Sequence, residues 1–520
     1  MRDPVSTTQR RLEQLWQDVR SGRWTEHIAL AGAFGATLFL MVSGVVTGRF
    51  GGGGAVGIVT TVGCFALALH RWEWAALLAV FTIQFTEYFE VSIIGDTRVS
   101  LWELAALAAM VGWGLTRVQA AQAARCDPPR IRITLMDGAI LGITFVQLVA
   151  NLTEFMRTGT VHYNVKPFEF AFLYILARSM MAKEKTAKAF LVAVVASGVI
   201  QATIGTLQHF QVLKVPNLPW MHVPRSHLYW LFHYGDPVVT VGKGSFLHFS
   251  NFGFFVSLCW PCAVALALAA RSNWHRLFWG LLSAIVFYGI LMSYARAAQF
   301  GWLLAVVVFL LIVPRGQWVG TARVCAVALL VMAGAIWQWA NTSDYASTMN
   351  MDGRHLAWTK VLEGFPANPF ELVVGRGELA SRSEAIETVG LQSIHNAYIQ
   401  ALVDTGVVGL ASYCLMGLAM LLPGLWALRA DRIGLFEACA AASAACMVML
   451  YFEAYTVAMW TAIGVQPFYM TLAGLSHARH VPQPDKPLPK ERGYIPRPVR
   501  KCGKTAAEHR GATTTRGGIR

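Results

Sequence analysis

Apolar positions run in long unbroken stretches rather than in alternation. Leu, Ala, Val and Phe fill windows of eighteen or more residues from one end of the chain to the other. As a helix, a window of that length crosses about 30 Å of hydrocarbon. In lipid only helices and closed barrels satisfy their backbone, and the lack of period-two alternation excludes a barrel. The pattern predicts spans near 27–47, 55–70, 74–92, 100–117, 136–152, 167–182, 189–207, 250–270, 276–293, 296–313, 322–340, 395–427, 434–452 and 456–477. That makes fourteen, or twelve if two weaker runs are re-entrant or interfacial. The long 395–427 run is expected to begin as a helix outside the bilayer core. The expected fold class is all-α, a polytopic integral membrane protein with about 12–14 transmembrane helices.

The polar positions between these runs set the orientation. Arg2, Arg10, Arg11, Arg20 and Arg23 precede the first run. Counting from an inside N-terminus, the inside loops carry Arg71, then Arg117, Arg125, Arg130 and Arg132, then Arg178, Lys183, Lys185 and Lys188. Arg271 and Arg276, Arg315 and Arg323, and Arg429 and Arg432 follow in later inside loops. Lys and Arg are retained in the cytoplasm, so both termini are expected there. Residues 1–26 hold Leu12, Leu15, Trp16 and Val19 at helical spacing and predict a short interfacial helix. Residues 27–478 form the membrane domain. The tail, 479–520, has eleven Lys or Arg against three Asp or Glu. A tail of that composition is expected to be disordered and to rest on anionic lipid.

Composition agrees with this reading. The 520 residues are 55% hydrophobic and only 14% charged, well below soluble proteins. The net charge of +14 suggests nucleic acid, but its confinement to termini and alternate loops is the requirement of topology instead. Nine cysteines lie mostly within apolar spans, and none falls in the long loops, so disulfides are not expected. The Cys259–Cys262 pair sits in a lipid-buried stretch, where packing is the expected role.

Two outside segments, 208–249 and 341–394, are too long to be connectors. The first holds His209, His222, His227, His233 and His248 with Arg225 and Lys243. No HxH or HExxH spacing and no carboxylate cluster supports a metal, and an amphipathic loop at headgroup level fits better. In the second, Arg354 and Trp358 are one helical turn apart, and Gly375-Arg376-Gly377 is a tight turn presenting a guanidinium. His395-Asn396 opens the next helix, where the dipole and backbone N–H groups disfavour protonation, so a neutral imidazole there suits a general base. Arg296, at the outer end of a span, costs about 2.5–3.5 kcal/mol at a helix centre and less near the interface, and an anionic lipid-linked group is a natural partner. Each has a plainer reading: Arg296 as a snorkelling side chain, Arg354 and Arg376 as solvated charges, His395-Asn396 as a helix cap. Their convergence on one side of the membrane favours phosphate recognition.

At these residues the chain resembles the O-antigen ligase/polymerase family of bacterial membrane glycosyltransferases. S-Y-A-R at 293–296 is similar to the family's S-x-S-R, with Ala295 where Ser is common, and G-R-H-L-A-W at 353–358 to its R-x-x-x-W. N-P-F followed by G-R-G resembles N-P-x…G-x-G, and H-N-A-Y-I-Q…G-V-V-G-L resembles H-N-x-Y-L…G-x-x-G. G-S-F-L-H-F-S-N-F at 244–252 is similar to a G-x-F…N stretch, with Lys243 in the region where an arginine often precedes it. The resemblance covers roughly 240–430. It implies a GT-C type architecture and an undecaprenyl-diphosphate-linked glycan donor at the periplasmic face of the bacterial inner membrane. It also implies a glycan or lipid acceptor and no metal or other cofactor. Arg296, Arg354 and Arg376, with Lys243 and Arg225, would bind the diphosphate, and His395 would act as base, with inversion at the anomeric carbon. A protein regulating chain length is an expected partner; nucleic acid is not. The chain's length and span number lean towards a polymerase over a ligase. A lipid-linked glycan flippase or transporter is the alternative, although no repeat or midplane charge set points to one.

Overall fold

The computed structural model describes residues 53–85, 90–94, 97–123, 133–158, 166–212, 231–233, 238–240, 242–246, 249–312, 351–377, 380, 396–427, 433–456 and 465–478. The predicted runs at 27–47 and 322–340, the N-terminal interfacial helix and the basic tail lie outside these. The helices are α1 (Gly53–His70), α2 (Trp72–Thr82), α3 (Leu101–Ala123), α4 (Leu135–Thr158), α5 (Lys166–Met180), α6 (Glu184–His209) and α7 (Phe249–Ala269). They continue with α8 (Asn273–Met292), α9 (Arg296–Ile312), α10 (Met351–Glu363), α11 (Pro369–Val374), α12 (Ala397–Ala427), α13 (Leu435–Thr456) and α14 (Gln466–Ala473). Two antiparallel hairpins, Glu90–Ile94 with Thr97–Ser100 and Leu231–His233 with Val238–Thr240, are the only strands among the described residues. The chain is an all-α, multi-pass membrane protein. Six described helices, within α4, α6, α7, α8, α12 and α13, are long and apolar enough to cross a membrane.

One predicted span ends early. The run at 74–92 is helical only to Thr82, with a 3-10 turn to Phe85, and Glu90–Ile94 is a strand. Val91, Ile93 and Ile94 are β-branched and are followed by Gly-Asp, a hairpin signal that hydropathy alone reads as apolar continuation.

Small residues let the helices approach closely. A Cβ on Gly289 of α8 would lie 2.5 Å from Ala202 of α6, and one on Gly424 of α12 the same distance from Ala444 of α13. The middle of α13 is sheathed on all sides: Ala438, Cys439, Ala440, Ala441, Ala442 and Ala445 are fully buried. Without a hydrophobic driving force between spans, such packing and buried polar contacts hold them together.

One such contact closes the end of the bundle away from the motif segments. Asp137, at the start of α4, accepts from the Thr134 backbone N–H at 2.7 Å and from the Tyr174 hydroxyl at 2.7 Å, and pairs with Arg178. The Tyr174 proton is thereby committed, so the 2.7 Å contact with His477 has Nε2–H donating to the hydroxyl oxygen.

Candidate functional site

The motif segments gather at the other end of the bundle. α8 ends at Met292, and α9 begins at Arg296 after a turn of three residues. Tyr294 makes that turn in the left-handed region, at φ 53°. Such a conformation costs a bulky residue about 1–2 kcal/mol. The Ser293 hydroxyl donates to the Ile290 carbonyl at 2.6 Å and accepts the Ala295 N–H at 3.1 Å, which holds the turn. Arg296 is partly buried as the first residue of α9.

Against this turn lies the segment 242–246. Gly242 donates its N–H to the Met292 carbonyl at 3.0 Å, and the ring of Tyr294 lies 5.8 Å from that of His209 at the end of α6. Lys243 is only 8% exposed. The structure thus brings together the segments bearing Lys243 and Arg296, two of the cations expected to bind diphosphate.

Arg376 is held differently. Its backbone N–H donates to the Val403 carbonyl at 2.9 Å, and that of Gly377 to the Asp404 carbonyl at 3.0 Å, so the Gly-Arg-Gly turn is laced to α12. The backbones meet where α12 breaks: Gly406 has φ 67° and ψ −172°, and Gly375 has φ 78°. A Cβ on Gly375 would lie 2.3 Å from the Asp404 carbonyl oxygen, and one on Gly406 equally close to that of Val373. Only glycine fits either position. The Arg376 Nε donates to Glu371 at 2.9 Å, its Nη2 to the Gly364 carbonyl, and its guanidinium lies 5.6 Å from the centre of the Phe365 ring. Its side chain is 14% exposed. The solvated-charge reading of Arg376 is excluded.

The break divides α12 into residues 397–405, beside α10 and α11, and a span from 407. Val361, Phe365 and Val403, with Trp358, Ile399 and Leu402 packed around them, form a small core separate from the main one. Asn396 is the N-cap: its Oδ1 accepts from the N–H groups of Tyr398 at 3.0 Å and Ile399 at 3.1 Å. His395 itself lies outside the described residues, as does Arg225. Arg354 lies in α10, one turn before Trp358, with its side chain outside the described part of the molecule.

α9, α10 and α12 each touch the last turns of α13. Phe300 and Phe452 lie 6.5 Å apart, Trp358 meets Tyr455 edge to face at 5.9 Å, and the Tyr398 hydroxyl donates to the Tyr451 carbonyl at 2.8 Å. Glu453 is fully buried and accepts from the Ser257 hydroxyl of α7 at 3.1 Å. It fits because α9 presents Gly301, where a Cβ would lie 2.9 Å from the carboxylate. The sequence places Glu453 near an outer end but gives no hint that α7 and α9 close over it. Among the described residues no group of three His, Cys, Asp or Glu is placed to hold a metal ion.

Residues 281–414 match the family model described as O-antigen ligase. The match begins in α8 and ends in α12, so it contains Arg296, Arg354, Arg376 and His395 and leaves out Lys243 and Arg225. No curated protein matches the chain.

Proposed function

We propose, from the match of residues 281–414 to the O-antigen ligase family, that the chain is an inverting, metal-independent glycosyltransferase acting on an undecaprenyl-diphosphate-linked oligosaccharide. Catalysis takes place at the periplasmic face of the inner membrane, with both termini in the cytoplasm. The observation that carries this reading is the coincidence of the family match with the motif-bearing helices α9, α10 and α12, which converge on the end of α13.

No nucleotide sugar is supplied outside the cytoplasmic membrane, so a lipid diphosphate is the donor. Its diphosphate leaves readily once its charge is met, and cations aimed at that charge supply the stabilisation. Arg296, Lys243, Arg354 and Arg225 bind the diphosphate. Arg376, with Nε engaged by Glu371 and Nη2 by Gly364, is ion-paired and holds the turn. His395, next to the Asn396 cap, takes the proton from an acceptor hydroxyl whose oxygen attacks the anomeric carbon. The bond from that carbon to the diphosphate oxygen breaks, and undecaprenyl diphosphate departs. Base catalysis of this kind is worth about 10²–10⁴-fold.

The acceptor is a growing glycan, as in a polymerase, or a lipid, as in a ligase; the length of the chain favours the former. Cells lacking the protein are complemented with wild type or His395→Ala, with membrane abundance matched. Wild type is expected to restore long glycan and His395→Ala to leave single repeat units. Free long polymer that never reaches its acceptor would instead identify a ligase. Full complementation by His395→Ala would end the assignment of the base and favour a flippase.

A further inference from the structure

Two glutamines of α6, seven residues apart and so two turns along one face, point at the segment that carries Lys243. Gln208 grips it on both sides. Its Oε1 accepts the Lys243 N–H at 2.9 Å, and its Nε2 donates to the Gly244 carbonyl at 2.8 Å. Gln201 does the same one step on: Oε1 accepts the Ser245 N–H at 2.8 Å and Nε2 donates to the Ser245 hydroxyl at 2.7 Å. That hydroxyl in turn donates to the Gln84 carbonyl at 2.6 Å. Gln84, Gln201 and Gln208 are each no more than 6% exposed. The fit is tight, for a Cβ on Gly244 would lie 2.4 Å from the Gln201 Oε1.

Between them the two amides satisfy backbone groups of three consecutive buried residues, in a setting where water does not compete and each such bond is electrostatically stronger. What they lock is a lysine backbone, on a segment whose other edge is bonded to Met292, the residue that leads into the Ser293–Arg296 turn. We infer that Gln208 and Gln201 are positioning residues: they hold Lys243 in fixed register with Arg296, so that the two cations meet one diphosphate together. Preorganised cations bind a polyanion without paying to order themselves at the moment of binding. This rests on the proposed diphosphate site and adds to it the residues that set its geometry.

The test uses the full chain in lipid nanodiscs, undecaprenyl diphosphate as the probe, and variants whose melting temperature is measured alongside. Gln208→Met keeps side-chain volume and removes both bonds. It is expected to weaken binding about tenfold, the equivalent of about 1.4 kcal/mol. Lys243→Gln should weaken it by a similar factor. The decisive comparison is the double variant, because a clamp that acts through Lys243 has nothing left to position once the lysine is gone. Gln208→Met with Lys243→Gln should bind no worse than Lys243→Gln alone, the non-additivity of coupled residues. Multiplied losses in the double variant, or wild-type binding by a folded Gln208→Met, would overturn the inference. Should Gln208→Met not fold, Ser245→Ala loosens the same segment from the Gln201 side and takes its place in the cycle. If Lys243→Gln and Arg296→Gln both bind undecaprenyl diphosphate as wild type does, the diphosphate site itself is wrong and the inference falls with it. Weakened binding in those two beside an unaffected, folded Gln208→Met would remove the clamp alone.

Discussion

Arg376 shows how many contacts a single residue can anchor. Its charge is met by Glu371, its plane by Phe365 and its backbone by Val403, so three elements meet at this one residue. Glu371 serves a second donor as well, since its Oε2 also accepts the Ala367 N–H at 3.0 Å. Arg376→Ala is therefore expected to destabilise by about 1–3 kcal/mol, more than an exposed ion pair would cost. A fall in the melting temperature of the purified protein, with loss of glycan transfer in cells, is the outcome to look for. Unchanged melting with lost transfer would mean that the guanidinium serves the substrate alone. Charge made Arg296, Arg354 and Arg376 conspicuous in the sequence, because a cation in or beside an apolar run needs a reason. Gln201 and Gln208 carried no such mark. An amide interrupts hydropathy only slightly, and the partner of Gln208, the Gly244 carbonyl, lies 36 residues further along the chain.

At the scale of elements, most helices coincide with the apolar runs that predict them, since burial in lipid and helix formation are satisfied by the same residues. What hydropathy misses is a change of conformation within an apolar run. The strand at Glu90–Ile94 is one case, and the break in α12 is the other. Gly406 sits among Thr405, Val407 and Val408 with nothing in its surroundings to mark it as a corner except its identity. Gly406→Ala places a methyl group against the Val373 carbonyl in a region of backbone space that is essentially reserved for glycine. The variant is expected to lose at least about 1–3 kcal/mol of stability, the cost of such strain, before the clash is counted. Thermal unfolding in detergent checks it, and wild-type melting would show that α12 can straighten. Gly409→Ala is a poor control, because its Cβ would meet the Thr405 hydroxyl.

For the whole molecule, the alternation of basic loops predicts which connections face the cytoplasm, and the described helices alternate in the same sense. α7, α9 and α12 start at the motif end, whereas α6, α8 and α13 finish there. Alkaline phosphatase fused after residue 370 is expected to be active in the periplasm, and the same enzyme fused after residue 430 to be inactive. The reverse pair of results would invert the topology and put the candidate site on the cytoplasmic side. The histidine-rich segment 208–249 gave the sequence its most metal-like stretch, yet the described part of it serves as framework: His209 stacks by Tyr294, and the backbone around Lys243 is gripped by amides. The break in α12 has a consequence for how such a protein can diversify. The half before it is tied to the Gly-Arg-Gly turn through main-chain bonds from Arg376 and Gly377 to the Val403 and Asp404 carbonyls, acceptors that any residue supplies. A segment tied in this way can change its surface through successive substitutions while the residues after the break keep their fit in the bundle. New specificities can then arise on an unaltered engine.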